Sequence, residues 1–422
     1  MAVAEQDLGE GLVLRSVRDA RDVQAFVALN TAVNGALEGR TCDILLRGHP
    51  EAPWSGYQVV EDTASGQIVS STCLLPWRCS LQGVELRVAM LEMVATHPDY
   101  RRRGLIRAQI ERYHQMVREG QYDLSIIQGI PYYYRQFGYA YALDAWNSDS
   151  LPAARIPDGP VAYALRPAGV DDAPLLARLY ERALAAAGLD IGTLRSEAYW
   201  RYLLERAQWP VRLLQPAYGG EPAGYVVTRL LEGQAGLHVV ECGIAGHAEA
   251  LATLRLLKRE TSGELRLAWP ESGALQRAAR ALGSSPLPAY QWLVRLTDVE
   301  SFLRKRGPLF ARRLAASEAA GMSFDLLINL FRQAYRLRFA GGTLEAVEPA
   351  GFVDASMGAD GGDLCIPPDA FVRLVLGYRT LDQLRDAWPD IVIRPASRRL
   401  LDILFPPLRA WLAVPYHYCG PL

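Results

Sequence analysis

The chain has 422 residues, half of them hydrophobic, with a formal charge of −1 and an isoelectric point near 6.6. That length predicts two to four domains with full-sized cores, and the balanced charge excludes a general nucleic-acid binder, which carries a strongly basic face. No run approaches the roughly 18 consecutive apolar residues of a membrane span, and the opening MAVAEQDLGEGL lacks a basic-then-apolar leader pattern, so the expectation is a cytoplasmic protein.

LVLRSVRDARDVQAFVALNTAV predicts a short strand over residues 13–17 and then an amphipathic helix carried by Val23, Phe26, Val27, Leu29 and Val33. Two strand-like runs follow, GYQVVED and GQIVSSTCLLPWRCSLQG, parted by the turn residues Thr63 to Gly66. VELRVAMLEMVATHP is a longer strand stopped by Pro98, which has no N–H for a ladder. A basic turn leads into a helix that runs to about Glu119 and is closed by Gly120. The compact apolar strand YDLSIIQGI and the aromatic segment YYYRQFGYAYA come next.

The run LPAARIPDGP near residue 151 has loop composition and marks a boundary. Beyond it the opening pattern recurs in YALRPAGVDDAPLLARLYERAL: strand, turn with Asp, amphipathic helix. PVRLLQP, AGYVVTRLLEG and LHVVECGIAG read as strands, AEALATLRLLKRE as a helix, GELRLAWP as a strand and GALQRAARALG as a helix. This is a diverged second copy of the first unit, in which GIAGHAEALATL replaces the basic turn. From about residue 298 the pattern changes. A helix, DVESFLRKRGPLFARRLA, precedes the alternating segments SFDLLINL and AYRLRFAGGTLEAVE. A strand, a turn and two short helices occupy GDLCIPPDAFVRLVLGYRTLDQLRDAWPDIVI, and an apolar helix leads to a proline-bounded tail. The expected division is therefore 1–150, 151–297 and 298–422.

Six cysteines are scattered without a C-x-x-C pair and read as small buried hydrophobes, and six histidines show no metal-ligand spacing. The chemistry concentrates in MVATHPDYRRRGLIRAQIERY. Gly104 stands where the helix begins, and a glycine there lets a ligand approach the backbone. The first-turn N–H groups of a helix lack intrahelical partners, and its dipole places about half a positive charge at that end. Such an end is an anion site, and Arg101, Arg102 and Arg103 add side chains suited to phosphate oxygens. A solvated basic turn capping a core helix is the competing reading.

The strand, R-x-x-G-x, helix arrangement over Arg101 to Ile106 resembles the acetyl-CoA pyrophosphate loop of the GNAT acyltransferase superfamily. YRQFGYAYA, after the next strand, is similar to the Y-x-x-F-G-Y segment of those proteins, while Ile106 stands where a small residue is common. The RRRGL form, the duplicated unit and the third domain with its IPPDAFVRLVLGYRTLDQL make the whole chain resemble the enhanced intracellular survival (Eis) family of bacterial N-acetyltransferases. The resemblance implies an α+β and α/β architecture: tandem GNAT-like domains with mixed sheets flanked by helices, then a sterol-carrier-protein-like α+β domain. It also implies a homo-oligomer, by resemblance a hexamer; charge, hydropathy and histidine and cysteine spacing lead to the expectation of no nucleic-acid, membrane or metal partner.

The activity implied is acetyl transfer from acetyl-CoA to an amine. Val94, Ala95 and Thr96 would pair with the pantetheine arm and thioester. Arg101, Arg102, Arg103, Gly104, Leu105 and Ile106 would surround the pyrophosphate. Tyr134, three residues before FGY, would be the general acid, since a phenol with a pKa near about 10 keeps its proton at neutral pH. The carboxylate of Leu422 would be the base. Glu92, two positions before Val94 on the same strand and hence on the same face, and His417 are further candidate bases. The acceptor would be a small cation, aminoglycoside- or polyamine-like, or a protein lysine, with Glu38, Asp43, Glu61 and Asp62 as candidate acids for it. The alternative is a non-catalytic acyl-CoA- or lipid-binding protein that uses its third domain.

Overall fold

The computed structural model describes residues 5–146, 148–206, 210–231, 236–268, 270–355 and 361–412. A hairpin of β1 (Gln6–Gly9) and β2 (Leu12–Ser16) leads to α1 (Ala20–Asn34), whose N-cap Asp19 accepts the N–H groups of Arg21 and Asp22. Gly35, at φ +101°, turns the chain directly into α2 (Ala36–Gly48), a helix that the sequence pattern does not reveal. The strands β3 (Tyr57–Asp62), β4 (Gln67–Leu81) and β5 (Val84–Thr96) make an antiparallel meander. α3 (Leu105–Glu119) then crosses over to β6 (Leu124–Ile127), parallel to β5, and β7 (Ala140–Trp146) follows. A parallel pair needs such a crossover.

The next segment holds β8 (Ser148–Pro152), β9 (Tyr163–Pro167), α4 (Ala173–Ala186), β10 (Ile191–Leu194) and α5 (Glu197–Arg206). It continues with β11 (Val211–Pro216), β12 (Gly224–Leu230), β13 (Leu237–Cys242), α6 (His247–Lys258) and β14 (Glu264–Ala268). It closes with α7 (Ala274–Ala281), β15 (Ser285–Pro286) and β16 (Tyr290–Leu296). The first sheet runs β1-β2-β3-β4-β5-β6-β16-β7, and the second β15-β8-β14-β13-β12-β11-β9. Each sheet thus lends a strand to the other. β16 is inserted antiparallel between β6 and β7, while β8 is inserted between β15 and β14. β10 lengthens the first sheet by pairing with Arg78–Leu81 of β4.

The single helix expected at residues 298–315 is two, α8 (Val299–Lys305) and α9 (Gly307–Ala315). Pro308 lacks an N–H and disfavours the helical region for the residue before it. Arg306, at the break, is fully buried among Phe302, Phe310 and Phe405 and donates to Val375 O at 2.7 Å. The strands β17 (Phe324–Asn329), β18 (Ala334–Ala340) and β19 (Thr343–Gly351) form a meander. β20 (Leu364–Cys365), α10 (Pro368–Val375), α11 (Leu381–Ala387), β21 (Val392–Ile393) and α12 (Arg398–Leu404) complete that part, with sheet order β19-β18-β17-β20-β21. β22 (Ala410–Trp411) returns to the first sheet and pairs in parallel with β10.

Apolar faces fix how the layers stack. Val23, Phe26 and Leu29 of α1 and Cys42 and Leu45 of α2 bury against Val59, Leu75, Trp77 and Met90 on one face of the first sheet. Ile110, Tyr113 and Val117 of α3 bury against Ala89 and Leu91 on the other. Each large side chain so buried contributes about 1.5–3 kcal/mol. Cys42, Cys73, Cys79, Cys242 and Cys365 are buried free thiols, as expected of small hydrophobes. No described helix is long and apolar enough to cross a membrane.

Candidate active site

The basic turn lies between β5 and α3. Arg102 and Gly104 both hold positive φ, +65° and +77°. A Cβ on Gly104 would meet nothing within 4 Å, so glycine is favoured there by backbone conformation and not by space. α3 has no side-chain cap, and its first backbone bond runs from Ala108 N to Gly104 O at 3.1 Å. The N–H groups before Ala108 are therefore open, and left-handed residues in such a turn aim successive N–H groups at a common point, an anion nest. The guanidinium of Arg103 lies over Tyr100 at 4.9 Å and 3.8 Å from Glu10, and Arg101 Nε lies 3.4 Å from Thr96 O. Arg102 is exposed and makes no ion pair or hydrogen bond among the described residues. Leu105 packs inward with Leu12, Leu14, Val60 and Val69, and Ile106 packs toward the cluster around Tyr134, so both offer the turn only their main chain.

β5 is open where it matters. Its ladder with β6 covers only Val88–Met90 against Leu124–Ile126, yet β5 continues to Thr96 paired with β4 alone. The parallel strands diverge, and an edge of main-chain donors and acceptors is left along Val94, Ala95 and Thr96. A β-bulge sits in that stretch: Ser71 opposes Ala95, Cys73 opposes Glu92, and Met93 takes φ +51°. Buried polar groups brace it. Asn30 Nδ2 donates to Phe26 O and Ser71 Oγ, each at 3.0 Å, and Ser71 Oγ donates to Met93 O at 3.0 Å. Ser70 Oγ lies 2.7 Å from Gln109 Oε1 and 2.9 Å from Thr96 Oγ1.

The bulge corrects one expectation. Glu92 and Val94 do not share a face, because the extra residue flips the alternation between them. Glu92 stands in the cross-strand row Tyr57–Cys73–Glu92, and Cys73 and Tyr57 belong to the core beneath α1 and α2. Val94 instead packs with Tyr134.

Tyr134 lies in a 3-10 turn, Tyr133–Phe137, beyond the end of β6. It is 4% exposed and packs in the cluster that holds Leu91, Val94, Ile127, Ile110 and Tyr113. Its ring meets Tyr133 and Tyr139 edge-on, with centroids 5.1 and 6.3 Å away. Gly129 makes this possible: a Cβ there would fall 2.0 Å from Tyr134 Cε2. Among the described residues no group hydrogen-bonds the hydroxyl. Burial pushes its pKa well above the usual tyrosine range, and the nearby charge of Glu92 adds to the rise. The hydroxyl therefore keeps its proton, and it remains a donor without an acceptor among the described residues.

The remaining candidates separate. Glu38 and Asp43 lie on α2, where Asp43 pairs with Arg47 at 2.6 Å. Glu61 is taken by Arg15, which also binds Asp22, both at 2.6 Å, and Asp62 accepts the Tyr100 hydroxyl at 2.6 Å. Leu422 and His417 lie outside the described residues. Sequence reasoning missed Gly129, the bulge, and Arg107 in the first turn of α3, whose contacts are taken up below.

The second sheet repeats the opening but fills it. β13 pairs in parallel with β14 only over Leu237–Val239 and then runs on to Cys242. There a fully buried ion pair, Arg195 with Glu241 at 2.7 Å, stacks on Tyr180 and Trp200 and accepts the Tyr225 hydroxyl. At the start of α6 the Glu249 carboxylate lies against Gly246, so that a Cβ there would fall 2.0 Å from its oxygen. A carboxylate of the chain itself occupies the helix end that the first unit leaves open.

Residues 24–142, which hold the open cleft and its turn, match the sequence model of the GNAT acetyltransferase domain. The protein is accordingly an N-acetyltransferase, with acetyl-CoA as its co-substrate. The fold is shared over nearly the whole length with solved structures of low sequence identity. A probable N-acyltransferase from Enterococcus faecalis is 15% identical with a TM-score of 0.70, over 95% of this chain and 98% of that one. A GCN5-related N-acetyltransferase from Kribbella flavida is 18% identical with a TM-score of 0.68, over 95% and 97%. Eis1 from Mycobacterium abscessus is 17% identical with a TM-score of 0.62, over 95% and 99%. A comparison with curated proteins gives no match.

Proposed function

We propose that the chain is an Eis-like acetyltransferase that acts on the amine of a small cation, with Tyr134 as general acid and the C-terminal carboxylate of Leu422 or Glu92 as general base. The observation that carries this is the Tyr134 hydroxyl: buried, proton-retaining, without an acceptor among the described residues, and within electrostatic reach of Glu92. The residues present fit acetyl-CoA. The open N–H groups at Gly104 and the guanidinium of Arg102, unpaired among the described residues, suit a diphosphate, and the stretch Val94–Thr96 of β5, beyond the end of the β6 ladder, suits an amide-bearing arm. Bound acetyl-CoA supplies an acetyl thioester.

The base, the Leu422 carboxylate or Glu92, takes the proton that the attacking nitrogen must lose when its bond to the acetyl carbon forms. Tyr134 gives its proton to the sulfur as the carbon–sulfur bond breaks. The same dry surroundings that hold the proton on Tyr134 also disfavour a bare thiolate, so the transfer is driven from both ends. Of the two bases, the Leu422 carboxylate is the one that the resemblance supplies. We assign residues 1–150 to the catalytic unit, 151–297 to a second unit without a phosphate site, and 298–422 to a sterol-carrier-protein-like unit, in a cytoplasmic homo-oligomer, by resemblance a hexamer.

The test is to follow free thiol while the protein is incubated with acetyl-CoA and a panel of small amines and lysine peptides. Tyr134→Phe should lower kcat by about 10²–10⁴-fold with little change in acetyl-CoA binding. Normal turnover by that variant removes the acid role. Tight acetyl-CoA binding by the wild type with no turnover on any amine would leave only a binding protein.

A further inference from the structure

The turn that carries Tyr134 belongs to no ladder. It is a five-residue 3-10 segment entered through Tyr132 at φ +69° and left through Gly138 at φ +85°, and a turn with so few backbone bonds depends on side-chain ties to hold its place. One such tie comes from the cofactor side of the cleft. Arg107 Nη2, from the first turn of α3, donates to Gln136 Oε1 at 3.0 Å, and its guanidinium lies over the Phe137 ring at 5.3 Å. Gln136 Nε2 donates in turn to Tyr133 O at 3.1 Å, the carbonyl next to Tyr134. The Tyr133 ring then packs edge-on against both Phe137 and Tyr134. A continuous path of polar and ring contacts thus runs from the helix end that meets the phosphate to the phenol.

We infer that Arg107 is a positioning residue that sets Tyr134 through Gln136 and Phe137, and so links the seating of the cofactor's phosphates to the placement of the proton donor. The inference rests on the reading of Tyr134 as the acid. A planar guanidinium is the group for the task, since it can donate in its plane to the amide while its face covers the ring. A lysine ammonium at the same place can do only one of these. Misplacing a reacting group by about 1 Å costs up to 10²-fold in rate, so an exposed contact of small energy can still govern turnover.

The experiment is steady-state kinetics by thiol release on the full chain. Arg107→Met should lower kcat at least about tenfold while KM for acetyl-CoA moves less than about threefold. Arg107→Lys should not restore it, and Gln136→Leu should show a loss in the same sense. In a Tyr134→Phe background, Arg107→Met should add no further loss, because the donor it places is gone. A raised KM with unchanged kcat, or an equal loss in the Tyr134→Phe background, would make Arg107 a phosphate ligand or a general support and overturn the inference. Impaired Tyr134→Phe beside unimpaired Arg107→Met removes this inference alone. Normal turnover by Tyr134→Phe removes the acid assignment, and with it anything for Arg107 to position.

Discussion

Gly129 does for Tyr134 what no side chain could. The tyrosine ring lies on the Gly129 backbone so closely that a methyl group would overlap it, 2.0 Å from Cε2. Gly129→Ala should displace the ring, lower kcat by about ten- to a hundredfold, and leave the far-UV circular dichroism unchanged. Wild-type kcat in that variant would mean that the ring's position does not govern the reaction. The sequence makes Tyr134 visible through its register with Phe137, Gly138 and Tyr139. It does not make Gly129 or Arg107 visible, because their meaning lies in contacts across the cleft. Two of the four candidate acids show the opposite: sequence shows charge, and only packing shows that Glu61 and Asp62 are already engaged by Arg15 and Tyr100.

The cleft is made by two strands that part, and the bulge at Met93 is what bends β5 away from β6. Asn30 is fully buried and donates both into α1 and to Ser71, which braces the bulge. Asn30→Ala should cost about 1–3 kcal/mol, because Ser71 and Phe26 O lose their donor in a dry site. Urea unfolding of the variant measures this, and a loss under about 0.5 kcal/mol would show that the bulge holds without it. Strands and helices with strong apolar periodicity, such as β4, β5 and α3, are legible from sequence. The bulge is not, because VAMLEMVAT alternates no differently on either side of Met93. β10 and β16 are not either, since each is short and pairs with residues far along the chain.

The first and second sheets are joined by an aromatic seam. His49, at the end of α2, meets Tyr199 and Tyr202 of α5 at 5.5 Å and Trp77 of β4 at 6.1 Å. Burial lowers its pKa to about 4, while the unfolded chain takes up that proton near about 6.5. The unfolded state then binds more protons between those values, so the stability His49 contributes is full above about pH 6.5 and falls as the pH drops toward 4. His114 and His238 are lowered in the same sense, to about 4 and about 3. His49→Phe should make the midpoint of urea unfolding less dependent on pH across that window. An unchanged slope would place the acid sensitivity elsewhere.

The lent strands set an order in time. β6 cannot receive its second partner until residues 290–296 exist, although the rest of the candidate cleft is encoded before residue 140. At roughly 5–20 residues per second, a ribosome needs on the order of ten to thirty seconds to make the missing strand. Through that interval the nascent chain exposes a raw apolar edge, the geometry that invites pairing with a neighbour. Leu293 of that strand packs in the Tyr134 cluster and the Tyr290 hydroxyl donates to Gly129 O, so the surroundings of Tyr134 are completed only when synthesis reaches the end of the second sheet.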